Sequence, residues 1–316
     1  MCSVAITLFA ACGNNSNEPY KDGKIQIAAM NGPTMMGMGQ LYNAVKSDPS
    51  SKYTITNAVT ADVVTAGLAN GTIDAAAVPA NTAAVLFNKA NVGIQVAAIN
   101  TLNVLYLVQR NGAADISSLA DLAGKKVDMP GQGTTPDVAF HYLLSQAQVS
   151  NVNIVFHSDG TEIVAGLQAG QIDYAVLAQP AATSVIMNGG SKEVLNLTNE
   201  WKKYNPDSDV VTGVLVVRTA FLKNNKSTFD EFLTKYQKSV AFMTDTDNLD
   251  TAAQYVVDMG IVPNVGVAKN ALPKSGIAFI TGNDMKTMLS GFYSTLLAQS
   301  PDSIGGKLPT DKFYYI

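Results

Sequence analysis

One stretch of this chain is written twice, and that repetition limits what it can fold into more than any other feature. Val64-Thr65-Ala66-Gly67-Leu68-Ala69-Asn70-Gly71-Thr72-Ile73-Asp74-Ala75-Ala76-Ala77-Val78 aligns without a gap on Ile163-Val164-Ala165-Gly166-Leu167-Gln168-Ala169-Gly170-Gln171-Ile172-Asp173-Tyr174-Ala175-Val176-Leu177. Gly67/Gly166, Leu68/Leu167, Gly71/Gly170, Ile73/Ile172 and Asp74/Asp173 are identical, and a proline follows each copy, Pro79 or Pro180. The pattern describes one unit used twice. A helix ends at a glycine free to turn left-handed, isoleucine-aspartate enters a buried strand, and the proline marks where that strand meets the next helix. Ligand crevices in open α/β sheets lie outside the carboxyl ends of the strands. Two such units facing each other therefore make a cleft. The equivalent positions of Asp74 and Asp173 argue for a structural role rather than a catalytic pair.

The rest of the chain alternates in the same way. Strands are expected near 24–29, 53–59, 73–78, 94–98 and 104–109, with helices over 33–46, 61–69 and 81–88, which implies a mostly parallel sheet. A second unit follows, with strands at 126–129, 152–157 and 172–177 and helices over 138–144, 161–169 and from Pro180 to about 187. Next come an irregular aromatic segment, 198–206, and a long apolar strand, 209–217. Pairing of that strand with 104–109 would make two crossovers and a hinge near Gln109 and Gly213. Three helices, 227–244, 251–259 and 284–298, close the chain, with a tail at 308–315 expected on the surface.

Within the second unit, Gly131-Gln132-Gly133-Thr134-Thr135-Pro136 sits on a strand-to-helix turn. Thr134 or Thr135 is placed to cap the helix, and Pro136 falls in its first turn. Such a turn points backbone N–H groups at a ligand. It lacks the third glycine of a dinucleotide fingerprint and the Gly-Lys-Ser/Thr of a phosphate loop, so an ordinary turn and a ligand site both remain open readings. Asn31-Gly32-Pro33-Thr34 makes the corresponding turn of the first unit.

The composition, 47% hydrophobic and 15% charged with 25 glycines over 316 residues, suits a globular α/β protein of one large or two modest domains. The net charge of −4 and the lack of a basic cluster argue against a nucleic-acid partner. Residues 1–11 are almost wholly apolar and end on small residues before Cys12, the shape of a secretory leader, and 13–19 read as a polar tether. Both cysteines, Cys2 and Cys12, fall in this leader, which leaves the following domain no thiol, disulfide or cysteine-metal chemistry. His141 sits within a helix and reads as structural. His157 ends a strand on the side where the cleft should lie, as a ligand contact or a satisfied structural histidine. No Gly-x-Ser-x-Gly elbow and no metal-spaced cluster accompany either, so no metal or cofactor is expected.

Taken together, 119–127, the glycine turn, 166–173 and Pro180-Ala181-Ala182 resemble the solute-binding lipoproteins of ABC importers. The similarity is to the two-lobed type II periplasmic-binding-protein class, in the group serving nitrate, sulfonate, taurine and thiamine-precursor transporters. The resemblance implies an α/β fold of two lobes, 24–108 plus 214–316 and 109–213. It implies a signal peptide at 1–11, lipidation at Cys12 and a tether over 12–23. It also implies an extracytoplasmic location, a monomer, and a permease with its ATPase as partners. Ligand contacts are implied at Asn31, Pro33, Thr34, Met35, Met36, Ala80, Asn81, Gly131, Gln132, Gly133, Thr134, Thr135, His157, Gln179 and Thr212. The solute would be a sulfonate-like anion or an aromatic heterocycle of the thiamine-precursor type. Arg110 and Arg218 are expected on the hinge strands, and no lysine or arginine falls in the turns, which counts against a strongly anionic solute. Met35 and Met36 read either as an adaptable apolar wall or as helix core. Binding without catalysis is the expectation. The rivals are an enzyme on the same scaffold, of pyrimidine or menaquinone precursor biosynthesis, and a ligand sensor.

Overall fold

A computed structural model describes residues 24–58 and 60–316. The leader, Cys12 and the tether lie outside the described residues. Among the described residues, eleven strands are distributed over two sheets: β1 (Ile25–Met30), β2 (Tyr53–Ala58), β3 (Ala75–Pro79), β4 (Ile94–Leu102), β5 (Leu105–Arg110), β6 (Lys126–Pro130), β7 (Asn153–His157), β8 (Tyr174–Ala178), β9 (Ser191–Asn196), β10 (Val211–Arg218) and β11 (Ile277–Ile280). The first sheet has the order β11-β4-β10-β3-β1-β2 and the second β7-β6-β8-β5-β9.

The sequence repeat extends into this topology. From β2 to β4, and from β7 to β9, each sheet runs parallel, parallel, antiparallel, antiparallel. Each of these five-strand sets thus has one reversed strand, β10 or β5, and in the first sheet β11 adds a second reversed strand at the edge, antiparallel to β4. The repeated residues explain themselves in contact. Gly71 and Gly170 take φ of 84° and 73° to end their helices. A Cβ on Gly67 or Gly166 would come 2.4 or 2.6 Å from Cδ1 of Ile73 or Ile172, so each glycine makes room for the isoleucine of its own copy.

The repeated aspartates hold the reversed strands. Arg218 donates its amide to the Asp74 carbonyl at 2.9 Å and its guanidinium to Asp74 Oδ1 at 2.9 Å. Arg110 does the same to Asp173, at 2.8 and 2.5 Å. Both pairs lie at the amino-terminal ends of β3 and β8, opposite the ends that face the cleft. This corrects the expected hinge placement of the two arginines. The Arg218–Asp74 side chains are 15% and 8% exposed, against 29% and 50% for Arg110–Asp173. Asp74→Ala should cost about 2 kcal/mol of stability, and Asp173→Ala about 1 kcal/mol or less. Urea denaturation of the two variants side by side checks this; equal losses would contradict it.

The chain crosses between sheets at Asn103 and again just before β10, so the expected pairing of 104–109 with 209–217 does not form. β10 pairs with β3 and β4, and β5 with β8 and β9. Asn103, at φ 54°, ties the two crossings together. Its amide donates to the Val210 carbonyl at 3.1 Å, its Nδ2 to Asp209 Oδ1 at 2.8 Å, and its Oδ1 accepts the Val210 amide at 3.0 Å. The two crossings therefore lie at Asn103 and at Asp209–Val210, not at the Gln109 and Gly213 of the expected hinge. Gln109 is buried inside the second lobe, where its amide bonds Ala113 and Ile116.

One apolar cluster runs through both lobes and includes Val78, Leu107, Phe140, Trp201 and Phe292. The segment expected to be irregular is the helix Leu197–Tyr204, because Asn196 Oδ1 caps it by accepting the Thr198 and Asn199 amides. The tail is not confined to the surface: Phe313 is fully buried and the Tyr315 amide donates to the Val96 carbonyl at 2.9 Å. The expected helix over 33–46 is two pieces, Pro33–Met36 and Gly39–Ser47.

Candidate functional site: the cleft between the lobes

The turns that follow β1 and β3 meet those that follow β6 and β8, as anticipated from the repeat, and these contacts close the crevice between the lobes. Asn81, 1% exposed, is the main junction. Its Nδ2 donates to the Gly133 carbonyl at 2.8 Å and to the Ser303 carbonyl at 3.2 Å. Its Oδ1 accepts the Thr135 hydroxyl at 3.0 Å, and its amide reaches Thr135 Oγ1 at 3.2 Å. Next to it the Ala80 carbonyl accepts the buried Tyr293 hydroxyl at 2.7 Å; burial pushes that phenol's pKa well up, so it stays a donor. A second approach brings Gly32 to the Gln179 carbonyl, which lies 3.9 Å from where a glycine Cβ would stand. A third sets Met187 of the helix Ala181–Met187 against Gly266 of the helix Val265–Ala271.

The floor of the crevice on the first-lobe side is polar and uncharged. Thr34 donates its hydroxyl to the Met30 carbonyl at 2.9 Å and accepts Asn100 Nδ2 on its own carbonyl at 3.2 Å. Thr101 donates to Asn100 Oδ1 at 3.3 Å. Gly213 is fitted beneath them, since a Cβ there would sit 2.6 Å from Asn100 Oδ1 and 2.7 Å from Thr34 Cγ2. Thr212, buried, donates to the Val210 carbonyl at 3.4 Å beside the hinge.

The glycine turn has the predicted strand-to-helix form, with Gly131 and Gly133 at φ 76° and 75°. Its capping differs. Thr134 occupies the cap position of the helix Thr135–Gln146, but its hydroxyl donates to the Gly131 carbonyl at 2.5 Å. Asp137, in the first turn, reaches back instead, and its Oδ2 accepts the Gly133 amide at 2.7 Å. Its other oxygen holds His141 Nδ1 at 2.7 Å, and Asp137's hydrogen bond pushes the His141 pKa up. Gln132 and Gly133 are exposed, whereas Thr135 is fully buried.

The remaining expected contacts separate into two groups. Pro33 is half-buried on its turn, and Asn31 is exposed, with its Oδ1 accepting Asn57 Nδ2 at 3.4 Å. Met35 and Met36 are completely buried in the apolar cluster behind the first sheet, so they are core rather than a cleft wall. His157 sits between carboxylates, with Nε2 2.7 Å from the buried Asp128 and Nδ1 3.4 Å from Glu162. Gln179 is buried and accepts the Thr183 amide on Oε1 at 3.3 Å. Asn100, Thr101, Asn103 and Asp137 were not anticipated. A signal existed for three of them: Asn100-Thr101 ends an otherwise apolar strand run, and Asp137 stands at a capping position of its helix. A separate recess of about 320 Å³, lined by Leu233, Phe279, Tyr315 and Ile316, lies beside the tail and away from the crevice. Among the described residues no group of three His, Cys, Asp or Glu side chains could hold a metal ion, and no helix is long and apolar enough to cross a membrane.

A family model described as NMT1/THI5 like matches residues 63–248. No curated protein matches the chain. Among solved structures, an ABC transporter from Parabacteroides distasonis is similar at 20% identity, with 93% of this chain and 99% of that one covered and a TM-score of 0.73. The periplasmic aliphatic sulphonate binding protein SsuA from Escherichia coli is similar at 12% identity, covering 93% and 92%, with a TM-score of 0.71. The periplasmic nitrate-binding protein NrtA from Synechocystis PCC 6803 is similar at 11% identity, covering 89% and 84%, with a TM-score of 0.68. At these identities the likeness is one of fold: two lobes joined by two crossings.

Proposed function

The chain belongs to the NMT1/THI5-like family, and from that premise we propose that it is the solute-binding component of an ABC importer. It captures a small organic solute between its lobes and delivers it to a permease and its ATPase, as a monomer held outside the cytoplasm by a lipid on Cys12. The observation that carries the reading is the crevice itself. Turns from both lobes converge there on Asn81, and the connections between lobes reduce to two crossings tied at Asn103. Rotation about those crossings lets a solute that touches both lobes favour the closed form by its differential contacts. Binding without chemical conversion fits the residues present, because the two histidines are each engaged by carboxylates in the second lobe.

Asn81 is the closing latch in this mechanism. Its side chain makes two hydrogen bonds to the second lobe, to the Gly133 carbonyl and from the Thr135 hydroxyl, that opening would break, while its bond to the Ser303 carbonyl stays within the first lobe. Asn81→Ala should cost the closed form about 2 kcal/mol, which lowers solute affinity roughly 30-fold. It should also raise the scattering radius of the solute-free protein. Calorimetry and small-angle scattering on the variant check both. Unchanged affinity with an unchanged radius would remove Asn81 from the closing step.

A further inference from the structure

We propose that the cleft is built for a solute that carries no negative charge, and that Asp137 is the residue that sets this preference. The inference rests on the solute-binding reading above and narrows it. An oxyanion held in such a crevice needs backbone N–H donors or a cation. In the second lobe, several of the backbone donors at the cleft-side turns are already used by the chain's own side chains. Asp137 Oδ2 takes the Gly133 amide at 2.7 Å. Asp159 Oδ1 takes the Thr161 and Glu162 amides at 2.7 and 3.3 Å at the start of the helix Gly160–Gln168. Gln179 Oε1 takes the Thr183 amide. Two of these three acceptors are carboxylates, and an approaching anion would meet their charge as well as lose their donors.

Cations do not compensate. Arg110 and Arg218 are committed to Asp173 and Asp74 at the far ends of their sheets. Lys126 lies 3.2 Å from Asp128, the buried carboxylate that also holds His157. Asp128, Asp159 and Glu162 thus gather at the β6–β7 side of the second lobe, partly offset by Lys126 and His157. Asp137 is offset in the same way by the exposed His141 ring. The buried polar side chains beside the interlobe turns are amides and hydroxyls, Thr34, Asn100, Thr101, Gln179 and Thr212, with no charge among them. That set suits an uncharged or cationic solute bearing amide, amine or hydroxyl groups.

The test uses the protein with a metabolite panel sorted by charge, read by thermal shift and then by calorimetry on each hit. Inorganic sulfate serves as a separate anion probe. The stabilising hits should be uncharged or cationic, and sulfate should bind the wild-type cleft without saturation at millimolar concentration. Asp137→Ser frees the Gly133 amide and removes the carboxylate, and should bind sulfate about tenfold tighter than wild type. Asp137→Asn, which keeps a side-chain acceptor and removes only the charge, should fall between and guards against loss of the cap. An anionic hit that binds more tightly than its uncharged counterpart would overturn the charge preference while leaving solute binding in place. Equal sulfate affinity in all three proteins would overturn the role of Asp137. A panel with no hit of any charge would overturn the solute-binding reading itself, and this inference with it.

Discussion

Trp201→Ala should destabilise the protein by about 4 kcal/mol, the range found for truncating a large buried aromatic side chain. The indole is fully buried, with ring centroids 4.7 Å from Tyr142 and 5.6 Å from Phe292. Those neighbours come from different parts of the molecule. Tyr142 belongs to the helix that starts at the glycine turn, and Phe292 to the helix Gly282–Gln299, which packs on the first sheet and on the glycine-turn helix. The cavity left by alanine would therefore lie in the cluster shared by both lobes and loosen their coupling as well as the fold. Trp201→Phe should lose much less, about 1 kcal/mol, since most of the packing stays and the indole Nε1, buried without a partner, takes its unmet hydrogen bond with it. Thermal and urea unfolding of both variants give the comparison. A Trp201→Ala loss under about 1 kcal/mol would show that this cluster does not carry the lobe junction.

Gly276→Ala should cost about 3 kcal/mol or more, because a left-handed backbone is combined with a backbone clash. Gly276 has φ 56°, and a Cβ there would come 1.7 Å from the Leu102 carbonyl oxygen. The two segments are paired by the Leu102 amide, which donates to the Gly276 carbonyl at 2.8 Å. Leu102 precedes Asn103, so the strain would fall on the residue that ties the two crossings. Gly282 is the control: its φ is 62° but no atom lies within 4 Å of a Cβ, and Gly282→Ala should cost about 1 kcal/mol from backbone conformation alone. Denaturation curves of the two variants should therefore diverge clearly. Equal losses would mean that the close approach at Leu102 relaxes without cost.

Local pattern carried the lobes far into this structure. Gly71, Gly170, Ile73, Ile172 and the two aspartates mark equivalent positions because each lobe must end a helix, enter a buried strand and anchor a reversed neighbour in the same way. The turns at Asn31–Thr34, Ala80–Asn81, Gly131–Thr135 and Gln179 follow from that register, and they do meet. What pattern could not supply was long-range pairing. Whether the strand after Asp209 joins β4 or β5 depends on contacts a hundred residues apart, and Asn103 shows its role only once Val210 lies beside it. The side-chain capping of the glycine turn was hidden for a related reason. Thr134 has the right residue type at the cap position, yet its hydroxyl donates to the Gly131 carbonyl, and Asp137 takes the Gly133 amide. Met35 and Met36 were ambiguous in sequence because a buried face and a ligand wall use the same residues. The short edge strand β11 and the burial of Phe313 left no periodic signal.

The most direct test of solute capture is native mass spectrometry of the protein after incubation with a broad metabolite extract, with the bound molecule released and identified. The account predicts one small molecule per chain, held in stoichiometric amount and recovered chemically unaltered. A molecule recovered in converted form, or a protein that retains nothing from any extract, would contradict it.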